Sequence, residues 1–278
     1  MKILVAGATG VVGRRMIPAL VEAGHEVAGT TRSPERARSI EDQKATPLVL
    51  DVFDADATRE AVAGFAPDAI VHQLTDLAGR DFEANSRLRI AGTRNLVDAA
   101  LAAGVETMVA QSIAWLYVPG TTPAVETDAL DPAPQPYEGV VSLESAVAQM
   151  PRGVVLRYGA LYGPGTWYAP DGFFAEQARA GEQKSNPTWT SFVHVDDAAA
   201  AAVAALDWPS GPVNIVDDEP ARTGDWLPVY TASLGLPSPP TARHAAPLAR
   251  PVSNARAREL GWRPAVPSWR EGFRDLNA

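Results

Sequence analysis

The chain has 278 residues, 46% hydrophobic and 21% charged, with a net charge of −9 at pH 7. That is ample for a buried core and a second lobe, and the negative balance argues against nucleic acid and anionic membranes as partners. Cysteine is absent, which excludes disulfides, thiolate catalysis and Cys-type metal sites.

In chain order, short apolar runs alternate with helical patterns. Strands are predicted at Lys2–Ala6, Glu26–Thr30, Thr46–Val49, Ala69–His72, Thr107–Gln111 and Val154–Arg157. Helices are predicted over Val11–Ala23, Pro34–Ile40, Asp56–Gly64, Phe82–Ala103 and Gly139–Gln149, with Pro18 bending the first. The alternation predicts right-handed βαβ crossovers and a parallel sheet, its strands apolar on both faces because helices cover both. The expected fold is a Rossmann-type doubly wound α/β domain over 1–158, completed by roughly 190–216. After Arg157 the chain turns Pro-, Gly- and Trp-rich, and 159–278 is expected to form mainly a small C-terminal substrate lobe over the carboxyl edge of the sheet. The first strand starts at residue 2 without a signal-peptide pattern, and no apolar run reaches membrane-span length. A cytoplasmic location is the expectation.

The first strand runs straight into Gly7-Ala8-Thr9-Gly10-Val11-Val12-Gly13, which opens a helix. Glycines there permit a tight turn and let backbone N–H groups approach a pyrophosphate, to which the helix N-terminus adds partial positive charge. Gly7, Thr9, Gly10, Val11, Val12 and Gly13 are therefore candidate cofactor contacts. The second strand ends at Thr31-Arg32, and no carboxylate stands between Glu26 and Glu35. An NAD site usually carries an acid there, whereas a guanidinium pairs with a 2′-phosphate. Thr31 and Arg32, assisted by Arg36 or Arg14, point to NADP(H).

The Gly-x-x-Gly-x-x-Gly spacing resembles that of the extended and atypical short-chain dehydrogenase/reductase superfamily, the epimerase/dehydratase-like branch. Gly92-Thr93-Arg94-Asn95-Leu96, Arg157-Tyr158-Gly159-Ala160-Leu161-Tyr162-Gly163-Pro164-Gly165 and Phe192-Val193-His194-Val195-Asp196-Asp197 resemble three further family segments, in the family's order. The resemblance implies that Asp51 and Val52 contact adenine and that Gln73, Leu74 and Thr75 pass near the nicotinamide ribose. His72 reads as a strand terminus rather than an acid–base group. His194, Asp196 and Asp197 read as a strand end with an aspartate capping the next helix, not as a metal cluster.

The family's machinery is Tyr-x-x-x-Lys with a preceding Ser or Thr, the lysine lowering the phenol pKa. Here the segment aligns as Tyr137-Glu138-Gly139-Val140-Val141, so valine occupies the lysine position, and no lysine lies between Lys44 and Lys184. The asparagine that the family places three residues before Gly-Thr is Arg89. Val140 and Val141 are expected to face the core. Ser112 and Tyr137 are the candidate catalytic residues, and Tyr117, Tyr162, Trp167 and Tyr168 the candidate substrate contacts. The resemblance implies an NADP(H)-dependent oxidoreductase for a small carbonyl, imine or alcohol. A sugar-nucleotide epimerase or dehydratase, or a non-catalytic NADP-binding regulator, is the alternative. The expected partner is a small molecule, with a homodimer left open.

Overall fold

The computed structural model describes residues 1–77, 79–131, 137–242 and 249–277. Chain order runs β1 Lys2–Ala6, α1 Gly13–Glu22, β2 Glu26–Thr31, α2 Pro34–Glu41, β3 Thr46–Val49, α3 Ala55–Phe65, β4 Ala69–His72 and α4 Phe82–Arg87. A π-turn over Leu88–Gly92 leads into α5 Thr93–Ala102, then β5 Thr107–Ile113, α6 Glu138–Val147 and β6 Arg152–Tyr158. The remainder holds β7 Ala160–Tyr162, α7 Phe173–Arg179, β8 Trp189–Thr190, β9 Phe192–His194, α8 Val195–Ala204, β10 Gly211–Ile215, β11 Ala221–Arg222, α9 Thr223–Ser233, α10 Ala255–Glu259 and α11 Trp269–Arg274.

The main sheet is parallel and seven-stranded, in the order β10-β6-β5-β4-β1-β2-β3. Strand order reverses between β1, which pairs with β2 on one side, and β4 on the other. Ligands of such sheets bind beyond the carboxyl ends of the strands at that reversal. Ile3, Leu4, Val5, Ile70 and Val71 are fully buried, the near-continuous apolar runs of strands covered on both faces.

One difference from the sequence expectation lies in the segment 82–103. The expected single helix is broken into α4, the π-turn and α5. A π-turn adds one residue to a helical turn and so rotates the helix beyond it. Here it carries Arg89 inward, leaving it only 6% exposed.

The chain divides into two compact units. The first comprises Met1–Ser112, Ala133–Leu156 and Ala199–Pro212. Its core packs Leu4, Ile70, Leu96, Val97, Met108, Leu143 and Val147, and Gly139 lets α6 lie close on α4, since a Cβ there would stand 2.9 Å from the Ser86 Cα.

The second unit comprises Ile113–Pro132, Arg157–Ala198 and Val213–Ala278. The stretch after β5 thus groups with later residues. It is tied there by the Ala124 N–H donating to the Pro251 carbonyl at 2.7 Å and by the Arg250–Asp128 ion pair at 2.8 Å. An aromatic core fills this unit: Tyr162, Tyr168, Phe192, Trp226, Tyr230, Trp269 and Phe273. Among the described residues no helix is long and apolar enough to cross a membrane.

Candidate active site

The glycine-rich turn is built by close approach. Gly7 sits at φ +91°, and a Cβ there would meet the Gln73 carbonyl carbon at 2.9 Å. The loops after β1 and β4 are thus pressed together where strand order reverses. At Gly13 a Cβ would come within 2.2 Å of the Gly7 carbonyl oxygen, so that glycine is required by the fold itself. Gly10 differs: it is exposed, and only the Gly7 oxygen, at 3.1 Å, would face its Cβ. Helix α1 starts with no side-chain cap and no acidic residue in its first turn. Its positive end is left to an external anion. Gln73 is buried with both amide atoms unpartnered. Together these features fit a dinucleotide.

Thr31 is buried at the end of β2, its hydroxyl accepting from the Ser33 N–H at 3.2 Å. Arg32 is exposed and paired loosely with Asp76 at 3.6 Å. Asp51 is exposed and accepts from the Phe53 N–H at 3.0 Å, while Val52 is buried. Leu74 is half-buried and Thr75 exposed.

His72 ends β4, fully buried. Its Nδ1 accepts from the Leu74 N–H at 3.2 Å, which leaves Nε2 to donate to the Thr93 hydroxyl at 2.9 Å. Burial, aided by the positive charge of Arg89, holds its pKa at about 3. The ring is therefore neutral in ordinary buffers and anchors the strand end.

Ser112 closes the first unit's share of β5. It is fully buried and donates to Glu144 Oε1 at 2.6 Å. Glu144 lies on α6, seven residues after Tyr137, so the two share a helix face two turns apart. That seven-residue spacing is visible in the sequence. Tyr137 precedes the first turn of α6 and is half-buried. Val140 is buried, but Val141 is 46% exposed, which corrects the expectation that both face the core. Arg89 is kept charged although burial pulls its pKa down to about 10, because the negative charge of Glu144 opposes that effect.

In the second unit, Tyr117 is buried, donating to Asn214 Oδ1 at 2.7 Å and accepting from Arg157 at 2.9 Å. Burial raises its pKa, so it remains a neutral phenol. Tyr162 is wholly enclosed between Phe192, His194 and Phe273, and Tyr168 stacks on Phe174 at 4.3 Å. These two rings are core residues with no free face for a substrate, a correction to the sequence expectation. Trp167 is half-buried against Phe173 and Phe174. Asp196 and Asp197 lie in the first turn of α8 rather than before it. The Asp197 carboxylate accepts from the Ala265 and Val266 N–H groups at 2.7 and 3.0 Å. No metal-binding cluster occurs among the described residues.

A doubly wound parallel sheet with a glycine cradle at its strand-order reversal defines a Rossmann-type enzyme domain. Residues 3–216 match the model of the NAD dependent epimerase/dehydratase family, and the chain belongs to that family, within the extended short-chain dehydrogenase/reductase superfamily. A 3-diazoavenalumate denitrifying reductase from a Streptomyces species is 41% identical across 98% of this chain and 99% of its own. A UDP-glucose 4-epimerase of Mycolicibacterium smegmatis is 27% identical across 96% and 94%. The crystal structure of a Thermus thermophilus UDP-glucose 4-epimerase, a complex with NAD, superposes with a TM-score of 0.79 at 26% identity, covering 99% of this chain and 97% of that one. With reductases, epimerases and dehydrogenases as its relatives, the protein is an oxidoreductase enzyme.

Proposed function

We propose that the protein is an NADPH-dependent reductase of a cationic aromatic electrophile, an arenediazonium, which it converts to the arene with loss of dinitrogen. One observation carries the reading: the groups that support the family's tyrosine are replaced or tied up, and Tyr137 alone is kept. Valine stands in the lysine position, Arg89 in the asparagine position, and the Ser112 hydroxyl is donated to Glu144. Reduction of a carbonyl needs a proton at oxygen. When bound, a reduced nicotinamide supplies hydride, and ArN2⁺ plus H⁻ gives ArH plus N2 with atoms and charge balanced and no proton required. The name of the Streptomyces relative, which couples a diazo substrate to nitrogen loss and reduction, supports the same class.

Charge points the same way. A lysine ammonium ~5 Å from a cationic carbon would cost on the order of 3 kcal/mol at an effective dielectric constant of ~20. Val141 removes that repulsion, and the α6 face carries the Glu144 carboxylate instead. Gly7, Thr9, Gly10, Val11, Val12 and Gly13 would hold the pyrophosphate. Arg32 would take the 2′-phosphate, Asp51 and Val52 the adenine, and Gln73, Leu74 and Thr75 the nicotinamide ribose. Tyr117 and Trp167 remain the proposed aromatic contacts of the second unit.

The test is to incubate the protein with an arenediazonium salt and NADPH deuterated at C4. The expected result is stoichiometric dinitrogen release and deuterium on the ring carbon that bore nitrogen. Oxidation of NADPH by ketones alone, with deuterium on a carbinol carbon, would instead establish a carbonyl reductase using Tyr137.

A further inference from the structure

Arg89 is a buried cation whose Nε finds no acceptor among the described residues. It is 6% exposed, its Nε has no hydrogen-bond partner, and no ion pair within 4 Å holds its guanidinium among the described residues. The groups near it are engaged with other residues, Glu144 through one of its two oxygens. The Glu144 carboxylate, whose charge reaches Arg89, receives the Ser112 hydroxyl. His72 uses both ring nitrogens, on Leu74 and Thr93, and is neutral. Removing a charge from water costs several kcal/mol unless hydrogen bonds replace the lost hydration. A leucine or methionine in the π-turn would avoid that cost.

The second observation is independent of the first. Gln73 follows His72 at the end of β4, is 6% exposed, and leaves both side-chain Nε2 and Oε1 without partners. The His72–Thr93 hydrogen bond at 2.9 Å holds the start of α5, four residues after Arg89, against this same strand end, and the charge of Arg89 is felt at His72. The first unit therefore holds an unmatched guanidinium Nε and an unmatched amide among the residues that meet at the carboxyl end of β4, the amide beside the glycine-rich turn.

We infer that Arg89 is the receptor for a carboxylate on the substrate, so that the molecule reduced is an aromatic acid. This inference rests on the arenediazonium reading and narrows it. The guanidinium fork matches two coplanar carboxylate oxygens. Phosphate has other seats in this unit, at the uncapped end of α1 and at exposed Arg32. A substrate with a carboxylate at one end and a diazonium at the other would meet a cation at Arg89 and an anion at Glu144.

The test uses the full chain with NADP⁺ and two unreactive probes, cinnamate and cinnamamide, which share a frame and differ in charge. Calorimetry is expected to show cinnamate binding at least ~10-fold tighter, the preference falling below ~3-fold in Arg89→Gln and being partly kept in Arg89→Lys. No preference in the unmutated protein, or a preference unchanged in Arg89→Gln, overturns the inference. Should Arg89→Gln fail to fold, the Arg89 Nε–H resonance, assigned by its loss in Arg89→Lys, must move on adding cinnamate and stay with cinnamamide. A resonance that stays with both overturns it as well. Arg89-dependent cinnamate binding in a protein that reduces no arenediazonium would uphold the receptor and reject the reaction. Arenediazonium reduction without the acid preference would do the reverse.

Discussion

Ser112 donates its hydroxyl proton to Glu144 across 2.6 Å, within the first unit and with the serine fully buried. A serine hydroxyl has one proton, so a side chain engaged in this way has none left for a substrate oxygen. Ser112→Ala is accordingly expected to lower stability by about 1.5–3 kcal/mol, the value of a hydrogen bond to a charged group. Turnover should fall less than about 10-fold, since loss of a working acid costs ~10²–10⁴-fold. Denaturant melts and steady-state rates on the same preparations check both halves.

On the proposed alignment, valine stands four residues after Tyr137, where the family carries its lysine. Tyr137→Phe should reduce turnover by less than about 10-fold, and a thousandfold loss at unchanged cofactor affinity would restore tyrosine as the acid. Val141→Lys should fold normally, because the position is 46% exposed and an ammonium there keeps its water. It should slow reduction of a cationic substrate and leave that of a neutral one unaffected.

Arg32→Ala is expected to weaken NADPH by roughly 10- to 150-fold and barely change NADH, the loss of one charge-assisted pair worth about 1.5–3 kcal/mol. Asp76 competes for the same guanidinium at 3.6 Å. Exposed pairs of this kind contribute about 0–1 kcal/mol, so Asp76→Asn should tighten NADPH by no more than about 5-fold. Fluorescence titration of both variants with both nucleotides decides the preference, and equal affinities in the unmutated protein would refute it.

The two accessible tests of the glycine turn are not equivalent. Gly13→Val drives a side chain into the Gly7 carbonyl oxygen, which stands 2.2 Å from the Cβ position, and should unfold the turn along with any binding. Gly10→Val meets little of the protein and should keep its melting temperature while losing dinucleotide affinity. Normal binding by a folded Gly10→Val protein would remove the pyrophosphate from this loop.

Stability should also depend on pH through Asp217. Burial pushes its carboxyl up to about 8, although the Glu219 and Trp269 N–H groups both donate to it. An unfolded aspartate titrates near ~3.9. Between those values the folded state holds the extra proton, so this contribution is full below about pH 4 and is lost as pH rises toward 8. Asp217→Asn should show a flatter fall between about pH 5 and about pH 8, because the amide does not titrate. An unchanged slope would mean that the carboxyl is ionised throughout.

The sequence by itself determined the nucleotide fold and the absence of any lysine between Lys44 and Lys184, because both are local. An apolar run, a glycine spacing and a helix start are written within about thirty consecutive residues, and a missing lysine is read directly. The tertiary structure decided what replaced it. Ser112 and Glu144 are 32 residues apart and meet only when β5 and α6 pack in one unit. Arg89 turns inward through a π-turn that no helical periodicity announces. Tyr162 and Tyr168 looked like pocket residues in sequence because aromatic side chains line pockets and cores alike. Only packing against Phe192, Phe273 and Phe174 distinguishes the two. Burial and partner choice are properties of contacts between distant segments, and a one-dimensional pattern does not contain them.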